Sequence, residues 1–153
     1  MLTNTPKKDP VVNLRSDAGL AAALRVSMAR LNRRLRRQST VGSLTPTQVA
    51  ALAAVERSSG ITPGELAELE KMQPPSMTRV IAALEERGLV SRTPHPTDRR
   101  QVTVTVTEAG SALLKEERRR KEAWLTQRLK ELTPEERSVL RAAAPILEKL
   151  SRI

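Results

Sequence analysis

Apolar side chains recur with a helical period near both ends of this chain. One stripe begins near Ser16 and places on a single face Leu20, Leu24, Met28, Leu31 and Leu35. A second stripe begins near Pro134 and aligns Val139, Leu140, Ala143, Ile146, Leu147 and Leu150. The segment 108–130 is also predicted to be helical, but its charged run 115–122 is expected to face solvent, where i, i+4 pairs support it.

Three helix starts share one signature, a threonine, then proline at the first helical position, then a Gln or Glu that can reach back to the threonine. They are Thr45-Pro46-Thr47-Gln48, Thr62-Pro63-Gly64-Glu65 and Thr133-Pro134-Glu135-Glu136. This arrangement is typical of a capping box, which satisfies two free backbone N–H groups at once. The sequence therefore predicts helices that begin next to Thr45, Thr62 and Thr133.

The middle of the chain changes period twice. A short helix over 62–70 is followed by a second, amphipathic helix whose buried stripe is Met77, Val80, Ile81 and Leu84. Gly88 is expected to end that helix in a left-handed conformation. Strand-like alternation then appears in 89–92 and 102–106, which predicts a β-hairpin whose basic loop spans 93–100. The predicted fold is mainly α with a small β-hairpin wing.

Helix, turn, helix, strand, basic loop and strand is the order of a winged helix-turn-helix, in which the second helix enters the DNA major groove. Polar side chains off its buried stripe suit base edges and phosphates, and its N-terminal amides are expected to face a phosphate. The wing arginines suit a minor groove, and Asp98 is expected to pair with one of them and support the wing. The predicted DNA-binding residues are Gln73, Pro74, Pro75, Ser76, Thr78, Arg79, Arg99 and Arg100.

The composition narrows the class of partner. A net charge of +10 favours a polyanion, either nucleic acid or an anionic membrane surface. No apolar run approaches the roughly 18 residues that span a bilayer, and the basic N-terminus lacks the apolar core of a secretory signal. We therefore expect a cytoplasmic protein that neither crosses nor binds a membrane. Trp124 is the only aromatic residue, so the core must be aliphatic, and part of its burial is expected at a subunit interface.

Catalytic and metal-binding chemistry finds little support in the sequence. The chain has no cysteine and one histidine, His95, which lies between two prolines and is interpreted as an exposed turn residue. No glycine-rich phosphate loop or paired acid stands out. We therefore expect no enzyme activity, no metal and no cofactor.

Residues 61–110 resemble the winged-helix core of the MarR family of bacterial regulators. The similarity lies in the stretch 73–79, in the helix exit 84–90, and in a wing motif that runs from Asp98-Arg99-Arg100 to Thr107-Glu108-Ala109-Gly110. The flanking helices match in number and order, which extends the resemblance to 16–153. The expected organisation is a basic tail (1–15), an N-terminal dimerisation helix (16–43), the winged helix-turn-helix (44–107) and C-terminal dimerisation helices (108–153).

The resemblance implies a homodimer whose first and last helices intertwine, and which binds a pseudo-palindromic operator in double-stranded DNA as a repressor. The implied dimerisation residues are Leu20, Leu24, Leu31, Leu140, Leu147 and Leu150. It also implies a small effector of the phenolic or aromatic acid class that releases the DNA, although no pocket residues are assigned. Oxidation sensing through cysteine is excluded, and the lack of Tyr and Phe leaves few rings to recognise an aromatic ligand.

A second hypothesis is an architectural protein that binds nucleic acid without sequence choice. The high charge would serve such a protein equally well, and each polar residue named above could be an ordinary solvated side chain. The single aromatic residue disfavours base stacking on single strands. Order and spacing of the elements favour a sequence-specific duplex binder.

Overall fold

The computed structural model describes residues 13–38, 44–98 and 100–152. In these ranges the chain forms six helices and two strands, as the sequence predicts: α1 (Asp17–Arg37), α2 (Pro46–Ser58), α3 (Pro63–Leu69), α4 (Pro74–Glu86), β1 (Val90–Pro94), β2 (Val102–Val106), α5 (Glu108–Lys130) and α6 (Pro134–Arg152). None of these helices is long and apolar enough to cross a membrane. Residues 1–12 of the predicted tail lie outside the described residues, and so does the loop 39–43.

The predicted capping boxes are formed. The backbone N–H of Thr45 donates to the Gln48 side chain at 2.8 Å, and the Gln48 N–H donates back to the threonine hydroxyl at 3.2 Å. Thr62 makes the same reciprocal pair with Glu65, and Thr133 makes it with Glu136. Because these contacts are local, the sequence alone was sufficient to place three helix starts.

The hydrophobic core lies among α2, α3, α4 and β2, with α5 packed at its side. Its largest fully buried side chains are Leu52, Val55, Leu66, Met77, Ile81, Leu84 and Val104. Val104 enters this core from β2, whose other edge pairs with Ile61 through two backbone hydrogen bonds of 3.0 and 2.8 Å. The base of the wing is therefore fixed to the segment that leads into α3.

The two strands pair antiparallel, with Val90 opposite Val106 and Pro94 opposite Val102. β1 thus runs two residues beyond its predicted end at position 92. Pro94 can extend the strand because β1 has a free edge, where a missing N–H costs no ladder bond. Leu89 is excluded from the strand because its N–H closes the end of α4 on the carbonyl of Leu84 at 3.0 Å.

The chain divides into two compact units, residues 1–38 and 39–153. The first contains α1, which begins at Ser16, whose hydroxyl accepts from the Gly19 N–H at 3.2 Å. Neither α1 nor, in the second unit, α6 has a buried residue. Most of the apolar residues predicted for dimerisation are exposed by 38% or more, namely Leu20, Leu31, Leu140, Leu147 and Leu150, while Leu24 is half-buried.

Candidate nucleic-acid interface

The turn between α3 and α4 is short and is fixed to the core. Lys71 takes a left-handed conformation, with φ of 51°, which reverses the chain direction after α3. The next residue, Met72, packs against the core, and its N–H donates to the carbonyl of Ala67 at 2.8 Å. Because Met77, Ile81 and Leu84 anchor α4 from below, the orientation of its outer face is set by core packing.

That outer face of α4 carries the polar side chains predicted to contact DNA. Gln73, Pro74, Pro75, Ser76, Thr78 and Arg79 are all exposed. Gln73 occupies the N-cap position, yet its side chain makes no capping hydrogen bond. The Thr78 hydroxyl donates to the carbonyl of Pro74 at 3.0 Å, so it meets an approaching ligand mainly as an acceptor. The six residues therefore share one solvent-facing surface on and beside the second helix of the helix-turn-helix.

Most of the phosphate-binding amides expected at the start of α4 are missing or already hydrogen-bonded, so this prediction was largely wrong. Pro74 and Pro75 have no N–H group. The next amide, that of Ser76, donates to the carbonyl of Gln73 at 3.0 Å, and the Met77 amide donates to the same carbonyl at 3.1 Å. Few backbone donors are therefore left for a phosphate at this end of α4.

The exit of α4 is tied to the start of α5. Gly88 has φ of 67°, and the N–H groups of Gly88 and Leu89 donate back to Glu85 and Leu84, which closes the helix as predicted. The Thr107 hydroxyl donates to the carbonyl of Gly88 at 2.6 Å and caps α5 by accepting from the Gly110 N–H at 3.1 Å. The C-terminal end of α4 and the end of the hairpin are thus joined through the Thr107 hydroxyl.

The wing loop is organised by Asp98. One carboxylate oxygen accepts from the backbone N–H of Arg100 and the other from the Gln101 side chain, each at 3.0 Å. Asp98 therefore binds the backbone of Arg100. An ion pair would instead require a contact with the Arg100 guanidinium group. The Arg100 side chain is exposed at the tip of the loop. Arg99, the other predicted wing contact, lies outside the described residues.

His95 is half-buried in the wing loop, whereas the sequence suggested an exposed turn residue. Its Nδ1 lies 3.2 Å from the backbone N–H of Asp98, which donates to it, and 3.3 Å from the Thr97 hydroxyl. A ring nitrogen that receives a backbone N–H must act as an acceptor, which places the proton of the neutral ring on Nε2. His95 thus helps to shape the loop that carries Asp98 and Arg100.

A second polar contact holds α5 against α2. Glu56 accepts from the Ser111 hydroxyl and from the Arg118 guanidinium, each at 2.8 Å. The hydrogen bond from Arg118, followed by that from Ser111, lowers the pKa of the Glu56 carboxyl. A lowered pKa means that this contact stabilises the fold at neutral pH, and that its contribution is lost as the pH falls through the lowered value.

Sequence reasoning missed the residues that position this surface rather than those that line it. Lys71 acts through its left-handed backbone conformation, Gln101 through its hydrogen bond to Asp98, and Thr107 through its hydrogen bond to Gly88. The only signal was the Thr-x-x-Gly spacing of 107–110, which marks the cap of α5 but does not reveal that the Thr107 hydroxyl reaches Gly88, 19 residues away.

Known proteins are similar to this chain in both sequence and fold. Residues 44–102 match the MarR family model. An uncharacterized HTH-type transcriptional regulator of Mycobacterium bovis is 45% identical over 134 residues, covering 88% of this chain and 94% of the relative. The multiple antibiotic resistance protein MarR of Salmonella typhimurium is 33% identical over 98 residues, covering 63% and 68%. The crystal structure of a transcriptional regulator of Pseudomonas aeruginosa superposes with a TM-score of 0.80 at 33% identity, covering 90% of this chain and 96% of that one.

Proposed function

Since this chain belongs to the MarR family of DNA-binding transcription regulators, which are not enzymes, we propose that it acts as a homodimeric repressor on a pseudo-palindromic operator. The observation that carries the proposal is the exposed polar face of α4, held beside a basic wing. In this arrangement α4 enters the major groove, and Arg100 reaches the neighbouring backbone or minor groove.

The dimer part of the proposal is supported by the exposed apolar side chains of α1 and α6. Several large apolar side chains that lie on one helix face and are exposed in a single protomer are typical of an interaction surface. A second copy of the chain is the proposed partner, because a two-fold dimer presents two recognition helices to two half-sites. Repression follows when an occupied operator overlaps a promoter.

An effector is the remaining part of the proposal and rests on family membership. Its proposed class is a small phenolic or aromatic acid whose binding releases the DNA. The net charge of +10 supports an anionic ligand, whereas the single ring of Trp124 offers little aromatic recognition. No described residue is assigned to its pocket.

Footprinting with purified protein on intergenic DNA upstream of its own coding region tests the proposal. We expect protection of a near-palindrome with half-sites about one helical turn, roughly 34–36 Å, apart. That protection should survive an excess of unrelated DNA. Diffuse protection that unrelated DNA abolishes would instead favour the architectural, non-specific function.

Arg79→Ala tests base reading by α4. Arg79 is exposed on the proposed recognition face, and an arginine that contacts a base edge contributes roughly 1–3 kcal/mol of discrimination. We therefore expect a roughly 5- to 150-fold loss of operator affinity for each half-site and a much smaller loss for a scrambled duplex. Fluorescence anisotropy with both duplexes, at one salt concentration, measures the ratio.

Arg100→Ala is the matched control, because it also removes one exposed arginine. A backbone contact carries no direct sequence information, so Arg100→Ala should weaken binding to both duplexes by a similar factor. If Arg79→Ala left the ratio of the two affinities unchanged, α4 would hold the backbone at this position and would not read a base there.

A further inference from the structure

The second half of α1 carries four arginines on one face. Arg30, Arg33, Arg34 and Arg37 follow the i, i+3, i+4, i+7 spacing, and all four are exposed. We call them the arginine face. Together with Leu31 they line an open concavity on the helix. Leu31 also belongs to the apolar stripe, but at 100° per residue Arg30, Arg33 and Arg37 lie on the side of α1 away from Leu24 and Met28. These three arginines therefore remain available when the stripe is covered.

Nothing in α1 neutralises the arginine face. Asp17 is the only acidic residue of the helix and lies 13 positions before Arg30, about 20 Å away at 1.5 Å per residue. In the part of the chain that the structure describes, none of the four arginines forms an ion pair. Four like charges within two turns repel one another, which favours an external anion as their partner.

In contrast to the arginine face, several arginines of α5 form ion pairs with glutamate side chains. Arg119 and Arg120 both bind Glu116, at 2.8 and 2.7 Å, and Arg118 binds Glu56. Attraction to the helix C-terminus explains a cation in the last turn of α1, but that effect falls off within one turn and does not account for Arg30 and Arg33. The arginine face therefore has no sufficient structural role within α1.

We propose that the arginine face binds the phosphate backbone of the DNA, in addition to the contacts made by α4 and the wing. Guanidinium groups bind phosphate oxygens in pairs of parallel hydrogen bonds. From Arg30 to Arg37 the face is about 10 Å long, which matches roughly three phosphates at 3.4 Å of helix axis each. Since α1 has no aromatic ring for a base to stack on, the partner it fits is the backbone of a duplex.

This inference rests on the proposed function for its occupant. Under this inference, phosphates of the duplex bound by the winged helix-turn-helix are within reach of the arginine face, so that even weak contacts add to affinity through a high effective concentration. Such contacts hold the backbone and leave sequence choice to α4. The arginine face therefore raises affinity and its salt dependence without changing which operator is selected.

The experiment compares three forms of the full-length chain with wild type. Arg30→Gln/Arg33→Gln/Arg37→Gln removes three charges from the arginine face, and Arg30→Lys/Arg33→Lys/Arg37→Lys keeps them. The control, Lys115→Gln/Arg119→Gln/Arg120→Gln, removes three charges from exposed residues of α5. Operator affinity is measured between about 50 and 200 mM salt, and phosphate ethylation interference identifies the contacted phosphates.

For the glutamine variant of α1 we expect at least a tenfold loss of affinity at the lower salt concentration. Its slope of log K against log salt should be shallower by between about 2 and about 5, which corresponds to between one and three lost phosphate contacts per protomer of a dimer at roughly 0.9 each. Its ratio of operator to scrambled affinity should stay within about twofold of wild type. The lysine variant and the α5 control should retain the wild-type slope.

Three outcomes would overturn the inference: an unchanged slope in the α1 glutamine variant, an equal loss in the α5 control, or an equal loss in the lysine variant. The second outcome would mean that the loss of affinity comes from the lower net charge alone. The third would mean that it comes from a disturbed structure of α1. Failure of the proposed function is a separate result, because wild type would then not prefer the operator over scrambled DNA at all.

Discussion

Replacing Gly110 with alanine is expected to lower the melting temperature of the protein by roughly 6–12 °C. A methyl group at this position would overlap the carbonyl oxygen of Leu89 and would lie 2.9 Å from a Val106 methyl. The carbonyl cannot move away without cost, because it accepts the Thr107 N–H at 3.0 Å. The first turn of α5 would have to shift away from the exit of α4.

Overpacking of this kind costs about 3 kcal/mol when a backbone group must move, and each kcal/mol lowers the melting temperature of a chain of this length by roughly 2–4 °C. Thermal unfolding followed by circular dichroism, at one fixed protein concentration, measures the change. Operator affinity below the melting range should fall as well, since the same shift would disturb the carbonyl of Gly88 that the Thr107 hydroxyl binds.

Gly64→Ala provides the matched control. A Cβ at Gly64 meets no atom within 4 Å, and the residue lies in the first turn of α3. Alanine favours a helix over glycine by up to about 1 kcal/mol, so this variant should melt at or slightly above the wild-type temperature. A Gly110→Ala protein that melted within a degree or two of wild type would show that α5 does not depend on this close approach.

The contrast between these two glycines shows where sequence reasoning reaches its limit. The capping boxes at Thr45 and Thr62 are written in four consecutive residues, so they were readable without a structure. The end of α4 at Gly88 was readable for the same reason. Gly110 gave only a spacing, since the need for glycine there arises from the carbonyl of Leu89, which lies 21 positions earlier.

The proposed DNA-binding surface also has one part that the sequence predicts and one part that it does not. The buried stripe of α4 follows from its 3.6-residue period, and that stripe determines which side chains remain outside, Arg79 among them. The shape of the wing loop does not follow from any period. It depends on which donors Asp98 and His95 accept from. Asp98 accepts from the backbone N–H of Arg100, and Arg99, the other arginine with which it was predicted to pair, lies outside the described residues.

The free amides expected at the start of α4 failed for a local reason. The two prolines mark the first turn of α4, but their missing N–H groups also remove donors that make a helix start attractive to a phosphate. The next two amides, those of Ser76 and Met77, donate to the carbonyl of Gln73. In the proposed complex, contacts of α4 with DNA therefore come mainly from side chains such as Arg79.

Replacing Leu147 with glutamate is expected to convert the protein from a dimer to a monomer and to lower its operator affinity by at least 100-fold. Leu147 lies within the apolar stripe of α6, a helix with no buried residue in one protomer. A carboxylate there would have to be desolvated in the proposed interface, at a cost of several kcal/mol. Sedimentation equilibrium at micromolar concentration measures the mass, and anisotropy on a two-half-site operator measures the affinity.

The affinity loss follows from the geometry of two linked sites. In a dimer, binding of the first recognition helix holds the second near its half-site, which raises overall affinity by roughly 10²–10⁴ over one half-site alone. A monomer keeps only single-site binding, so the variant should bind a one-half-site duplex as well as wild type does at low concentration. This preserved binding would also show that its winged helix-turn-helix is folded.

Ser138→Glu is the control, because Ser138 is exposed on the opposite side of α6 and the substitution adds the same charge. It should remain dimeric and lose affinity only modestly, through the added negative charge. Leu140→Glu provides a second test within the stripe and should behave like Leu147→Glu. If both stripe variants stayed dimeric, the dimer interface would not include α6; if they became monomeric yet kept wild-type operator affinity, one recognition helix would suffice for binding.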